Sequence, residues 1–180
     1  MTGWQTHSTR TAYENPWIRV RENQVTRPDG EPAIYGVVEM RHPSVFVVAV
    51  TEDDEVVLVD LFRYATGTES VEVPAGGTDG EDALVAAQRE LREETGLGAE
   101  HWTRLSSMWA LNGVCRAPEH VFLARGLSHV DGAALEEEGI SAVRRVPWPE
   151  VLAMVRTGVI CDSETMAALL SAAIELGRIG

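Results

Sequence analysis

At 180 residues the chain has the length of one domain and is short for two. It is 44% hydrophobic and 24% charged, a globular composition that excludes a disordered or coiled-coil chain. Fifteen basic residues, every one an arginine, face 28 acidic ones for a net charge of −13. That balance argues against a nucleic-acid or anionic-membrane surface, and the absence of lysine excludes a Schiff-base enzyme and a P-loop. Two cysteines, Cys115 and Cys161, make no disulfide framework. The longest apolar run, Val45–Val50, is far below the roughly 20 residues that span a bilayer. The N-terminal stretch from Met1 to Arg10 is polar, so the expectation is a soluble cytoplasmic protein with reduced thiols.

In chain order, Trp17–Arg27 and Ala33–Met40 read as strands around a Pro28-Asp29-Gly30 turn. Ser44–Thr51 and Glu55–Phe62 form a second apolar pair around Glu52-Asp53-Asp54, again a hairpin, and Val71–Val73 is a short strand stopped by Pro74. From Glu81 to Thr95 the period becomes helical, with Leu84, Ala87 and Leu91 on one stripe and Gly96 as the stop. His120–Ala124 and Ile140–Val146 read as further strands. Trp148–Arg156 is a short helix, and Ser163–Leu176 is a longer one capped by Asp162 or Ser163. The order predicts an α+β fold, a mixed sheet with helices packed on it, in a single domain over residues 1–180.

The chemistry concentrates on the central helix. Glu90, Glu93 and Glu94 fall at i, i+3 and i+4, so three carboxylates share one face. Each like-charge pair costs about 0.2–0.5 kcal/mol. The helix dipole at this C-terminal end disfavours each carboxylate by roughly a further 0.3–1 kcal/mol. A solvated acidic face, with Glu93 paired to Arg89, is the plain reading of such a triplet. A hard divalent cation reverses the sign of every one of these costs, and an oxygen-only ligand set selects Mg²⁺ or Mn²⁺ over zinc.

The segment from Gly76 to Leu97 carries Glu81, seven residues, and then Arg89-Glu90-Leu91-Arg92-Glu93-Glu94-Thr95-Gly96-Leu97. It resembles the Nudix box, matching every position from Glu81 onward, although four residues separate Gly76 from Glu81 where the family has five. The resemblance implies an α/β/α sandwich and a hydrolase in which water attacks a diphosphate linked to a nucleoside. By position, Glu90, Glu93 and Glu94 would be metal carboxylates, with Glu93 and Glu94 catalytic. Glu81 and Arg89 would tie loop to helix, and Gly96 would end the helix.

Outside the box, Leu61-Phe62-Arg63-Tyr64 and Glu72-Val73-Pro74-Ala75-Gly76-Gly77 are similar to segments of ADP-ribose pyrophosphatases and allied nucleotide-sugar hydrolases. That branch implies substrate contacts at Arg63 and Glu72, a metal-shell carbonyl at Ala75, and opening strands at about residues 13–40 that help form a homodimer. It also implies a catalytic base in a later loop, here Glu136-Glu137-Glu138, with Glu137 first and Glu138 second. Arg116 is a further candidate for phosphate, since without lysine arginine must do that work. The expected activity is a pyrophosphatase acting on ADP-ribose or a similar nucleotide sugar. Alternative readings are a triphosphate pyrophosphohydrolase that sanitises the nucleotide pool and a non-catalytic nucleotide-metabolite sensor. The expected partner is a small nucleoside diphosphate derivative, without nucleic acid or membrane.

Overall fold

The computed structural model describes residues 3–179, so the termini of the expected domain, Met1, Thr2 and Gly180, lie outside the described residues. The first elements are β1 (Gln5–Glu14), β2 (Ile18–Thr26), β3 (Pro32–Met40), β4 (Ser44–Ala49), β5 (Glu55–Arg63), β6 (Thr68–Glu72) and β7 (Ala75–Gly77). Then come α1 (Ala83–Thr95), β8 (Leu97–Trp109), β9 (Cys115–Arg116), β10 (Pro118–His129), β11 (Ile140–Pro147), α2 (Trp148–Thr157) and α3 (Ser163–Glu175). They form two compact units. One comprises the chain up to Pro43 together with Trp109–Pro118; the other comprises Ser44–Met108 and the chain from Glu119 on.

The first unit is a four-stranded sheet in the order β1-β2-β3-β9. β2 and β3 pair antiparallel without a slip from Ile18↔Met40 to Thr26↔Pro32. Their turn closes with Gly30 at φ 91°, a conformation that glycine adopts without a Cβ penalty. β1 pairs with β2 through two irregularities and exposes every residue. It therefore has no buried face to impose an alternating hydrophobic pattern.

In the second unit β4 is the axis. Phe46, Val48 and Val50 point into one core with Trp148, Val151 and Met154 of α2 and Ala168, Leu169 and Ala172 of α3. Val45, Val47 and Ala49 point the other way, onto Ala86, Ala87 and Leu91 of α1. Burial on both faces is why this strand reads as an unbroken apolar run. β4 pairs parallel with β10 and antiparallel with β7 in a sheet ordered β7-β4-β10-β8, while β11-β5-β6 form another. The expected β4–β5 hairpin is thus corrected. The turn exists, with Thr51 N–H donating to the Glu55 carbonyl, but only Val50 bridges to Val56 before the strands part into different sheets.

The helices follow their caps. α1 starts two residues later than its expected Glu81, because the Asp82 carboxylate accepts from Leu84 N–H at 2.9 Å. It ends where Gly96, at φ 68°, returns its N–H to the Arg92 carbonyl. Asp162 caps α3, accepting from Thr165 N–H at 2.7 Å. No helix among the described residues is long and apolar enough to cross a membrane.

Candidate active site

The α1 helix packs its acidic end against β7. Glu90 and Glu94 are each only 5% exposed. The Glu94 carboxylate accepts a hydrogen bond from Ala75 N–H at 3.0 Å. Ala75 is fixed in turn by its pairing opposite Phe46. Gly76 follows, and a Cβ built on it would overlap the Glu90 carboxyl group, so the backbone here approaches the carboxylate as only glycine allows.

Arg89 organises the rest. Its Nε donates to Glu81 at 3.0 Å and its Nη2 to the Gly77 carbonyl at 2.8 Å. Its Nη1 reaches Glu90 at 2.7 Å and Glu93 at 3.1 Å. Burial opposes the arginine's charge, but the bonds to Glu81 and Glu93 and the nearness of Glu90 outweigh it and raise its pKa. The loop between Gly76 and Glu81 is one residue shorter than the family's. It closes through Asp79 at φ 51° and Gly80 at φ 90°, with Glu81 N–H donating to the Thr78 carbonyl at 2.8 Å.

Positive charge falls short around the two buried carboxylates. Desolvation pushes Glu94 up to about 8, with Glu90 and Glu138 adding repulsion against the Ala75 bond and Arg63. Glu90 is raised by desolvation too, with Glu138 and Glu93 opposing the relief from Arg89. Of the loop glutamates, Glu138 is thus the one whose charge reaches the helix, although Glu137 ranked first in the sequence; both are exposed. Among the described residues no three Asp, Glu, His or Cys side chains converge into a ready metal cage, because Glu93 is turned to Arg89 and Arg92.

Beyond the helix, Arg63 on β5 forks onto buried Glu72 on β6, Nε at 2.9 Å and Nη2 at 2.5 Å. The bond to Glu72 raises the arginine's pKa against its burial, and the fields of Glu94 and Asp162 add to it. Asp162 was legible only as a helix cap, yet it lies within electrostatic reach of Arg63 and of buried Glu119. Thr165, wholly buried on α3, accepts from Val73 N–H at 3.3 Å beside Glu72 and was not singled out in the sequence at all. Arg116 belongs to the first unit, on β9, where it stands 3.5 Å from Glu39.

Residues 40–169 match the NUDIX domain model, which is most of the chain. The chain belongs to the Nudix family. It is a hydrolase of the Nudix pyrophosphatase type. Residues 4–38 additionally match the nucleoside diphosphate sugar hydrolase N-terminal domain. The Nudix chain is 32% identical over 168 residues to the methanol dehydrogenase activator of Bacillus methanolicus, covering 92% of this chain and 90% of the relative. It is 32% identical over 148 residues to the ADP-ribose pyrophosphatase of Bacillus subtilis, covering 81% and 79%. A crystal structure described as an ADP compounds hydrolase superposes with a TM-score of 0.85 over 98% of this chain and 97% of its own; at 20% identity this shows the shared fold.

Proposed function

We propose that this Nudix hydrolase cleaves the diphosphate of ADP-ribose or a similar nucleoside diphosphate sugar with the help of a divalent cation. The observation that carries the reading is the pair of buried carboxylates, Glu90 and Glu94, short of positive charge against the Ala75–Gly76 backbone. Such a pair is unstable as two anions and suits a hard cation. The donors within reach are all oxygens, so the residues fit Mg²⁺ or Mn²⁺. Glu90, Glu94 and the Ala75 carbonyl would hold the ion, with Glu93 joining them on release from Arg89. When bound, it supplies electrostatic stabilisation for charge on the diphosphate.

The chain's own residues account for the remaining roles. Arg63, pre-set by its fork to Glu72, presents its exposed edge to a phosphate oxygen. Arg89 and Glu81 hold the carboxylate helix to its loop, and Gly96 ends the helix beyond Glu94. Glu138, ahead of Glu137, takes the proton of the attacking water. The water oxygen bonds to phosphorus, the bridging P–O bond breaks, and two monophosphates leave. A homodimer through the first unit is part of the same reading, supported by Trp17 and Ile34, which the sheet leaves exposed. Light scattering on the eluting protein tests it, and a strict monomer contradicts it.

The reading is tested by incubating the protein with Mg²⁺ and ADP-ribose, GDP-mannose, NADH, coenzyme A or 8-oxo-dGTP and measuring released monophosphate. Preferential turnover of a nucleotide sugar supports it. Preference for 8-oxo-dGTP points to nucleotide sanitation, and tight binding without turnover of any of them points to a sensor.

A further inference from the structure

The last turn of α1 leaves backbone carbonyls that no further helical turn can satisfy. Gly96 N–H takes that of Arg92. The Glu93 carbonyl is taken from much further along the chain, by Ala134 N–H at 2.8 Å. Ala134 lies in the loop between β10 and β11, in neither helix nor strand. The loop is pinned on both sides of this bond. Before it, Val130 N–H donates to the Gly96 carbonyl at 3.0 Å. Gly132, at φ 104°, lies so near Arg92 that a Cβ built on it would stand 3.2 Å from the arginine's Cδ and Nε. After it, Leu135 packs against Val59, Leu61 and Ile140, and Ile140 N–H donates to the Leu135 carbonyl at 2.8 Å.

Ala134 bonds in both directions. Its N–H goes to the Glu93 carbonyl, and its own carbonyl accepts from Glu138 N–H at 2.9 Å. One residue thus joins the backbone of Glu93, on the carboxylate helix, to the backbone of Glu138 through two hydrogen bonds. The loop so held brings the charge of Glu138 within reach of both Glu90 and Glu94. Fixing a loop backbone costs conformational entropy, and bonds made in the middle of the loop offset that cost before substrate arrives.

We infer that Ala134 is a positioning residue for hydrolysis, holding Glu138 at a set distance from the carboxylates of α1 through its own backbone. The inference rests on the reading of Glu138 as the base. The Ala134 methyl is then of little consequence, and its N–H is essential.

The first measurement is amide hydrogen exchange on the full-length wild-type protein. The Ala134 N–H should be protected although it lies in a loop; exchange at the rate of a free peptide overturns the tether. This measurement needs no variant, so it decides the tether even if proline prevents folding. The second is kinetics with Mg²⁺ and ADP-ribose. Ala134→Pro removes the donor and should lower kcat by about 100-fold with KM little changed, the loss that a misplacement on the order of 1 Å brings. Ala134→Ser keeps the N–H and should match wild type. A wild-type kcat in the proline variant, or an equal loss in the serine variant, overturns the inference. Glu138→Gln should itself lower kcat by about 100-fold or more. Adding Ala134→Pro to it should bring no further loss, because a residue acting through Glu138 has nothing left to position. A further loss in the double variant marks a general disturbance of the site and overturns the inference while the base assignment stands. Full activity in Glu138→Gln removes the base assignment itself, and the positioning role with it.

Discussion

Replacing Gly76 by alanine tests how the fold presents its carboxylates. The new methyl would overlap the Glu90 carboxyl group. Neither side can yield cheaply. Gly76 is locked opposite fully buried Val45 in the β4–β7 pairing, and Glu90 is 5% exposed and bonded to Arg89. Gly76 is not among the residues at positive φ, so the effect is steric and not conformational. Overpacking of this kind costs about 1–3 kcal/mol. For a chain of this length each kcal/mol moves Tm by roughly 2–4 °C, so a fall of about 2–12 °C is expected. The carboxylate itself must shift, and a displacement on the order of 1 Å at a reacting centre lowers kcat/KM by about 100-fold. Gly77→Ala is the control: its Cβ would meet only the exposed Asp79 carboxylate, at 3.3 Å, which can swing away. Thermal unfolding and steady-state kinetics on both variants decide the matter. Wild-type stability and activity in Gly76→Ala would refute the cradle.

Other substitutions probe neighbouring parts of the second unit. Arg89→Ala strips the counter-charge from buried Glu90 and from Glu93 together, and should cost about 3 kcal/mol, seen as a denaturant midpoint shift; a shift below about 1 kcal/mol would contradict the organising role. Arg63→Ala should raise KM for ADP-ribose at least tenfold and, by leaving buried Glu72 without its counter-charge, lower stability by about 3 kcal/mol; an unaltered KM would remove Arg63 from the substrate site. Glu119 supplies a pH test. Desolvation, with repulsion from Glu164 and Asp162, pushes it from the usual 4.5 up to about 7. The fold therefore favours the protonated acid. That stability is full below about pH 4.5 and is lost as pH rises through about 7, by at most about 3 kcal/mol. Glu119→Gln should remove the loss, so the variant should melt above wild type at pH 8 and together with it at pH 4.5; equal melting at pH 8 would dismiss the buried charge.

Much of this molecule was legible in its sequence because local chemistry and tertiary environment agree. The α1 stripe, the Gly96 stop and the Asp162 cap are decided within a few residues of chain, and the arginine-carboxylate spacing of the box is dictated by helix geometry. β1 left no trace, since an exposed strand buries neither face and its residues are Thr, Ser and His among charges. β8 runs 13 residues with burial that follows no regular alternation, so a period-2 search passes over it. The separation of β4 from β5 depends on partners far away in the chain, β10 and β11, that no turn motif reports. At the site, the cluster on α1 follows from spacing, whereas the reach of Asp162 toward Arg63 and the location of Arg116 in the other unit are products of topology.

The central claim is that the buried carboxylates of α1 work through a divalent cation on a nucleotide sugar. It is met most directly by following AMP release from ADP-ribose with and without Mg²⁺ in wild type and Glu94→Gln. The account predicts AMP only from wild type with Mg²⁺, and a folded Glu94→Gln protein without turnover. AMP formed by wild type in EDTA, or at the wild-type rate by Glu94→Gln, would contradict it.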